Sequence, residues 1–300
     1  MKLANMVLGT VQLGLHYGIS NSKGKPSRKE SLAMLDHAYE QGIRVFDTAF
    51  AYGDAEEILG EFIASRNLAD QVKIISKLEP NCVPENGADA VRVIEAKTRA
   101  SLNRLGLKVL DGYLLHTPSY IFRQEIVNAL HQCKSKGLVR HIGVSIYQED
   151  EALAAARSPL IDYIQVPYSI FDQRLDQTEF FQLAKANGKK VFARTAFLQG
   201  LIFMNEGEIP DDLSDAKQRL KEFDGIIAHY GLSRLEAVLM FSASNPGIDY
   251  IVFGVDTMEQ LRKDIEIASH LRYYPECAAE LRNRFSRLDK SIIFPSLWKE

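Results

Sequence analysis

Four side chains in the first half of the sequence, Asp47, Tyr52, Lys77 and His116, are of types that together could pass a proton to or from a carbonyl oxygen. Reducing a carbonyl requires a proton donor at oxygen while hydride arrives at carbon. Tyrosine can be that donor, but its ordinary pKa of about 10 makes loss of the proton difficult at neutral pH unless a nearby ammonium favours the phenolate. Lys77 would supply the ammonium. Asp47 would hold the lysine and keep it charged in a partly buried place, and His116 would orient the carbonyl oxygen by a hydrogen bond. None of this needs a metal. Taken singly, each residue has a plainer reading: a turn aspartate, a structural histidine, a solvated lysine. Their placement is what brings them together.

Short apolar runs alternate with longer helix-period segments along nearly the whole chain, the pattern of repeated βα units and a parallel sheet. Eight runs read as strands: Met6–Thr10, Arg44–Thr48, Lys73–Lys77, Gly112–His116, His141–Ser145, Tyr163–Pro167, Lys190–Arg194 and Tyr250–Gly254. That count predicts an α/β fold, a (β/α)8 TIM barrel occupying residues 1–300 as one domain. In such a barrel the carboxyl ends of the strands converge on one face, so Asp47, Lys77 and His116 at three strand ends, with Tyr52 in a following loop, become neighbours. Helix starts are expected where a small polar residue precedes Glu or Gln by three positions. Ser27 with Glu30, Asp54 with Glu57, Asp176 with Glu179, Ser233 with Glu236 and Thr257 with Gln260 fit, while Gly42, Gly106, Gly137 and Gly188 mark helix ends. The acidic stretch Asn205–Asp224 reads as a loop or helix inserted near the barrel mouth. Pro275–Leu288 reads as an extra helix, and Ile292–Glu300 as a tail carrying the only tryptophan, Trp298.

Composition limits the functional classes. With 46% hydrophobic and 25% charged residues, 300 residues can bury a large core without staples. The 36 basic and 39 acidic residues leave a formal charge of −3, which gives no global field to attract nucleic acid or an acidic membrane. Cys82, Cys133 and Cys277 are odd in number and widely spaced, as free thiols in a reducing compartment would be. The opening run shows no cleavage site, and no apolar stretch approaches the ~20 residues needed to span a bilayer. A cytoplasmic location follows as an expectation.

The run Phe46-Asp47-Thr48-Ala49-Phe50-Ala51-Tyr52-Gly53, followed by Glu57 and Gly60, resembles the aldo-keto reductase signature around its active-site tyrosine. Ile75-Ser76-Lys77 and Leu114-Leu115-His116 resemble that family's lysine and histidine motifs, and the likeness extends over nearly the whole chain, closer to the bacterial aldose and sugar-dehydrogenase-like branch than to the steroid-handling members. The resemblance implies hydride transfer between NADP(H) or NAD(H) and a carbonyl or hydroxyl, with Asp47, Tyr52, Lys77 and His116 as the catalytic tetrad. Rossmann glycine signals are absent, so barrel loops must hold the cofactor. By resemblance, Gly9, Thr10 and Val11 lie at the nicotinamide ribose, and Ser145 and Gln165 at the carboxamide. Ile146 stands where the family often has asparagine. Arg194 takes the position from which an aromatic side chain commonly stacks on the nicotinamide, and a planar guanidinium could stack there instead. Thr195, Phe197, Gln199 and Gly200 resemble the pyrophosphate loop.

The last strand departs further from the pattern. Phe253-Gly254-Val255-Asp256-Thr257 stands where the family has a proline-glycine-x-serine-arginine run whose serine and arginine contact the 2′-phosphate of NADP. An acid replaces the serine, and the nearest basic residues are Arg262 and Lys263, one helical turn on. A carboxylate suits a free ribose hydroxyl better than a phosphate, which makes NAD a competitor. Lys263-Asp264 align with a glutamate-asparagine pair that contacts adenine in the family. The expected substrate is a small polar carbonyl compound, a sugar or aldose derivative, with His16, Tyr17, Tyr147 and Trp298 as candidate pocket residues. Two rival readings remain: a nicotinamide-binding regulatory subunit with little turnover, and an epimerase or dehydratase that recycles its cofactor. Neither nucleic acid nor membrane is an expected partner, and the oligomeric state is open.

Overall fold

Eight parallel strands pair in sequence order and close on themselves. They are β1 (Met6–Gly9), β2 (Val45–Asp47), β3 (Lys73–Lys77), β4 (Leu110–Leu115), β5 (Val139–Ser145), β6 (Tyr163–Pro167), β7 (Lys190–Arg194) and β8 (Tyr250–Phe253). The structure is a computed structural model describing residues 3–87 and 89–298. Every expected strand is present, with ends moved by at most two residues. The register aligns the functional strand ends, since Gly9 pairs with Asp47, Asp47 with Ile75, and Ser145 with Gln165.

The barrel interior is filled by Val7, Val45, Ile75, Leu114, Tyr163 and Phe192. Tyr163 fits because Gly112 and Gly143 have no side chains: a Cβ on Gly112 would lie 3.1 Å from the Tyr163 ring, and one on Gly143 would collide with the Tyr163 carbonyl. The Tyr163 hydroxyl donates to Asp111 Oδ2 at 3.2 Å and lies 2.9 Å from His141 Nδ1, so this buried phenol is satisfied. The larger apolar layer lies between the strands and the surrounding helices.

Three of the five expected capping boxes form, at Ser27, Ser233 and Thr257, opening helices Arg28–Glu40, Arg234–Ser244 and Met258–His270. Asp54 precedes helix Ala55–Arg66 but makes no cap bond, because its carboxylate pairs with Lys25. The expectation at Asp176 fails. Asp176 lies in a single turn, Arg174–Gln177, and accepts hydrogen bonds from Tyr168 Oη at 2.9 Å and Asn245 Nδ2 at 3.0 Å, so the next helix begins only at Phe180. Gly106 ends helix Ala90–Leu105 in the left-handed region at φ 63°, and Gly42, Gly137 and Gly188 also have positive φ. The 205–224 stretch resolves into turns Glu206–Glu208 and Asp211–Leu213 and the first part of a helix, Ser214–His229, that lies between β7 and β8. The extra C-terminal helix is Pro275–Arg284, and its neighbour Phe285 packs against Phe171 with ring centroids 5.0 Å apart. Among the described residues no helix is long and apolar enough to cross a membrane.

One buried carboxylate ties the loop after β2 to the sheet. Glu56 is 0% exposed and accepts from Ser76 Oγ at 2.6 Å and Arg104 Nη1 at 3.4 Å. It therefore anchors the start of helix Ala55–Arg66 beside Lys77. Removing Glu56 leaves the buried Ser76 hydroxyl without its acceptor, which costs about 1–3 kcal/mol, whereas Arg104 is partly exposed and can be resolvated. Glu56→Ala is expected to lower unfolding stability by about that amount in a denaturant titration, and a change below about 1 kcal/mol would contradict this reading.

Candidate active site

Asp47 ends β2, Lys77 ends β3 and His116 follows the last residue of β4, so three neighbouring strands aim three polar side chains at one rim. Tyr52 reaches the same place from the loop between β2 and helix Ala55–Arg66. Its backbone is set by a side-chain-free contact: a Cβ on Gly14 would run into the Tyr52 carbonyl, and one on Gly53, at φ 56°, into the Gly14 carbonyl. The loops after β1 and β2 can approach this closely only with glycine at both positions.

Lys77 is 1% exposed, and each of its ammonium protons has an acceptor. Nζ donates to Asp47 Oδ2 at 2.7 Å, to the Thr48 carbonyl at 3.0 Å and to Tyr52 Oη at 3.3 Å. The other Asp47 oxygen accepts from Gln165 Nε2 at 2.8 Å, and Gln165 Oε1 in turn accepts from Ser145 Oγ at 3.2 Å. The Asp47 backbone carbonyl accepts from both Thr10 N at 2.9 Å and Thr10 Oγ1 at 3.1 Å. The His116 ring meets the Tyr52 ring edge-on, with centroids 5.8 Å apart at 85°. All four expected catalytic side chains are thus brought together.

Their electrostatics differ from the expectation in one respect. Burial, seconded by the Asp47 carboxylate, pushes the Tyr52 phenol up from its ordinary value, and the Arg194 guanidinium pulls it only partly back. Lys77 does not bring Tyr52 into the neutral range, because burial drives its own pKa down and its charge is matched by Asp47. Tyr52 is therefore held as a neutral phenol, a proton donor. Burial, helped by the charges of Lys77 and Arg194, lowers His116 to about 3, so the imidazole is neutral. Its Nδ1 is buried without a partner among the described residues.

Above the tetrad lies a cleft of about 1090 Å³. That exceeds the roughly 300–1,000 Å³ of ordinary ligand pockets and can take a dinucleotide together with a small substrate. Asp47, Tyr52, His116, Gly9, Val11, Ser145, Gln165, Arg194, Thr195, Phe197, Gln199, Gly200, Gly254, Asp256 and Asp264 line it, as expected. Three expected cofactor residues do not. Thr10 is buried beneath the wall holding Asp47, Val255 is packed into the core at 3% exposure, and Arg262 points outward while its neighbour Lys263 faces the cleft. Tyr17 and Tyr147 line the cleft. His16 instead bonds the Asn21 carbonyl, Trp298 donates to the Ser291 carbonyl, and neither lines the cleft.

Among the lining residues, sequence reasoning missed Gln12 and Asn21, and it named Lys263 only alongside Arg262. Gln12 fills the space that a Cβ on Gly254 would need, and its Oε1 has no partner. Asn21 joins the cleft wall by donating to Asp256 Oδ1 at 3.2 Å. No local pattern marks either residue, whereas helical spacing from the Thr257 cap would have distinguished Lys263 from Arg262. The loop after β7 is strained, with Thr195, Leu198 and Gln199 at φ 64°, 46° and 52°. Gln199 Nε2 donates to Tyr17 Oη at 3.1 Å, joining this loop to the one after β1. The partnerless Gln12 Oε1, His116 Nδ1 and Arg194 Nε all belong to residues of this one cleft, which fits a polar ligand that completes them.

The Aldo/keto reductase family model matches residues 5–283. The chain is 26% identical to a D-threo-aldose 1-dehydrogenase of a Pseudomonas species, over 81% of this chain and 84% of that protein. It is 28% identical to the NADH-specific methylglyoxal reductase of Escherichia coli K12, over 67% of this chain and 65% of that protein. The holo form of an aldo-keto reductase from Bacillus halodurans superposes with a TM-score of 0.74 at 20% identity, covering 98% of this chain and 95% of that one. The chain belongs to the aldo/keto reductase family and is an NAD(P)-dependent oxidoreductase of that class.

A pH dependence follows from His116. An imidazole that protonates only near 3 stays neutral between about pH 5 and 8, where a free histidine would titrate. The rate of carbonyl reduction is expected to show no acid limb near pH 6.5. In the unfolded chain the same histidine takes up its proton below about 6.5, so its contribution makes stability fall as pH drops from there toward 3. A rate profile that breaks near 6.5 and loses the break in His116→Gln would show the imidazole to be charged in the folded site.

Proposed function

We propose that the protein interconverts the carbonyl and alcohol forms of a small polar molecule, a sugar or aldose derivative, with Tyr52 as general acid and base and with NAD(H) preferred to NADP(H). The single observation that supports the acid and base assignment is the Lys77 ammonium held between the Asp47 carboxylate at 2.7 Å and the Tyr52 hydroxyl at 3.3 Å. Ser145 and Gln165 would hold the nicotinamide end of the cofactor, the 195–200 loop its pyrophosphate, and Gly254, Asp256, Lys263 and Asp264 its adenosine. When bound, the cofactor supplies or accepts the hydride at the carbonyl carbon.

The chain's own residues account for the proton. As the carbonyl π pair moves onto oxygen, the Tyr52 O–H bond breaks and its proton completes the alcohol. The phenolate left behind gains from the Lys77 hydrogen bond, which strengthens as negative charge develops. Asp47 keeps that ammonium in place. Neutral His116 can donate a hydrogen bond to the reacting oxygen without competing to protonate it. In the oxidative direction Tyr52 takes the proton back.

The NAD preference is supported at Asp256. Its carboxyl lines the cleft, accepts from Asn21, and is raised by burial, as is Asp264, pushed up to about 7. Two carboxyls crowd a 2′-phosphate but can accept from ribose hydroxyls. Sugar chemistry is supported by the Pseudomonas relative and NADH use by the Escherichia coli one.

Two measurements test this. Tyr52→Phe, assayed with NADH or NADPH and a panel of aldoses and aldehydes, is expected to lose about 10²- to 10⁴-fold in rate while keeping cofactor affinity. Cofactor binding without consumption by the wild-type protein would favour a regulatory subunit, and substrate conversion without net oxidation would favour a recycling epimerase or dehydratase. Asp256→Ser is expected to shift the ratio of NADP to NAD use upward, and equal ratios in both proteins would refute the ribose assignment.

A further inference from the structure

Among the described residues, one cation at the tetrad end of the cleft has no counter-charge. Arg194 Nη1 donates to Thr195 Oγ1 at 2.9 Å and Nη2 to the Ile146 carbonyl at 2.9 Å, both neutral acceptors. Its guanidinium lies over the Tyr147 ring, 4.3 Å from the centroid, which fixes one face of the plane. Two of the five N–H donors of a guanidinium are thus used, and Nε is buried without an acceptor. The other cleft cations differ: Arg234 pairs with Asp224 at 2.6 Å, and Lys263, exposed on helix Met258–His270, does not act on Tyr52 or His116 as Arg194 does. Lys77 is matched by Asp47, and His116 is neutral. The net positive charge near the reacting groups is therefore that of Arg194, and it reaches both Tyr52 and His116.

Holding a guanidinium in a half-buried wall without a carboxylate is costly unless a ligand supplies the charge. Its planar fork, pinned by Tyr147 and two hydrogen bonds, is preorganised for an anionic oxygen group. We infer that the physiological substrate carries a carboxylate or phosphate, which Arg194 grips while the carbonyl lies at Tyr52 and His116. The substrate class is thus an acidic or phosphorylated carbonyl compound rather than a neutral one. This deepens the carbonyl-reduction reading and rests on it.

Matched pairs of aldehydes test the inference: succinic semialdehyde against butanal for a carboxylate, and glyceraldehyde 3-phosphate against glyceraldehyde for a phosphate. A hydrogen-bonded charge contact corresponds to roughly 10- to 100-fold. At least one anionic member is expected to exceed its neutral partner in kcat/KM by about that factor, and the pair that does so identifies the group. In Arg194→Met the ratio should fall to about one, and Arg194→Lys, which keeps the charge without the fork, should retain part of it. Calorimetric titration of wild type and Arg194→Met with succinate and with inorganic phosphate, with and without NADH, gives a readout that needs no turnover. Anionic and neutral aldehydes used alike, with neither anion bound more tightly by wild type than by Arg194→Met, would overturn the inference while leaving carbonyl reduction intact. So would an Arg194→Met variant that loses NADH affinity but keeps the anionic preference, because the cation would then serve the pyrophosphate. If no aldehyde is reduced at all, carbonyl reduction fails, and the anion titration alone decides whether the cleft is an anion site.

Discussion

A lysine ammonium buried to 1% exposure is the constraint around which this rim is built. Moving such a group out of water costs several kcal/mol even after relaxation, and the cost is offset only when every proton finds a well-placed acceptor. Lys77 meets that condition through a carboxylate, a main-chain carbonyl and a phenol. Asp47 must then be equally well satisfied. Gln165 takes its second oxygen, and Thr10 doubly engages its backbone carbonyl. One buried charge therefore fixes side chains from β2, β3, β5 and β6 and a residue just beyond β1.

That arrangement explains why the phenol remains a phenol. An ammonium beside a tyrosine would ordinarily favour ionisation, but here its charge is matched by Asp47 while burial disfavours phenolate. The same low-polarity surroundings keep His116 uncharged. The tetrad therefore carries little net charge, and Arg194 dominates the local field. Electrostatic work in the cleft is divided between a neutral proton-donating centre and a separate cation.

The sequence made the barrel legible because each strand is a short apolar run ended by polar or small residues, and because parallel barrels expose their carboxyl ends on a single rim. The tetrad was readable for the same reason. Local rules failed where distant partners intervened: Asp176 looks like a helix cap but is claimed by Tyr168 and Asn245. Thr10 follows a strand end, yet it turns under the wall toward Asp47, a partner 37 positions away. Gln12 and Asn21 escaped notice because their roles depend on Gly254 and Asp256 across the barrel seam. The ionisation of Tyr52 was misjudged from residue types because burial, which outweighs the adjacent cation, has no local signature.

The glycine-to-glycine seam between the loops after β1 and β2 has a bearing on redesign. Since Gly14 and Gly53 meet main chain to main chain, the position of the Tyr52 backbone is transmitted without any side chain that a mutational scan for contacts would flag. A library aimed at new substrate scope can diversify the aromatic wall at Tyr17 and Tyr147, but it must leave that bare backbone junction alone. Methyl groups added there would act as wedges, prying the proton donor off its lysine before any pocket residue had changed.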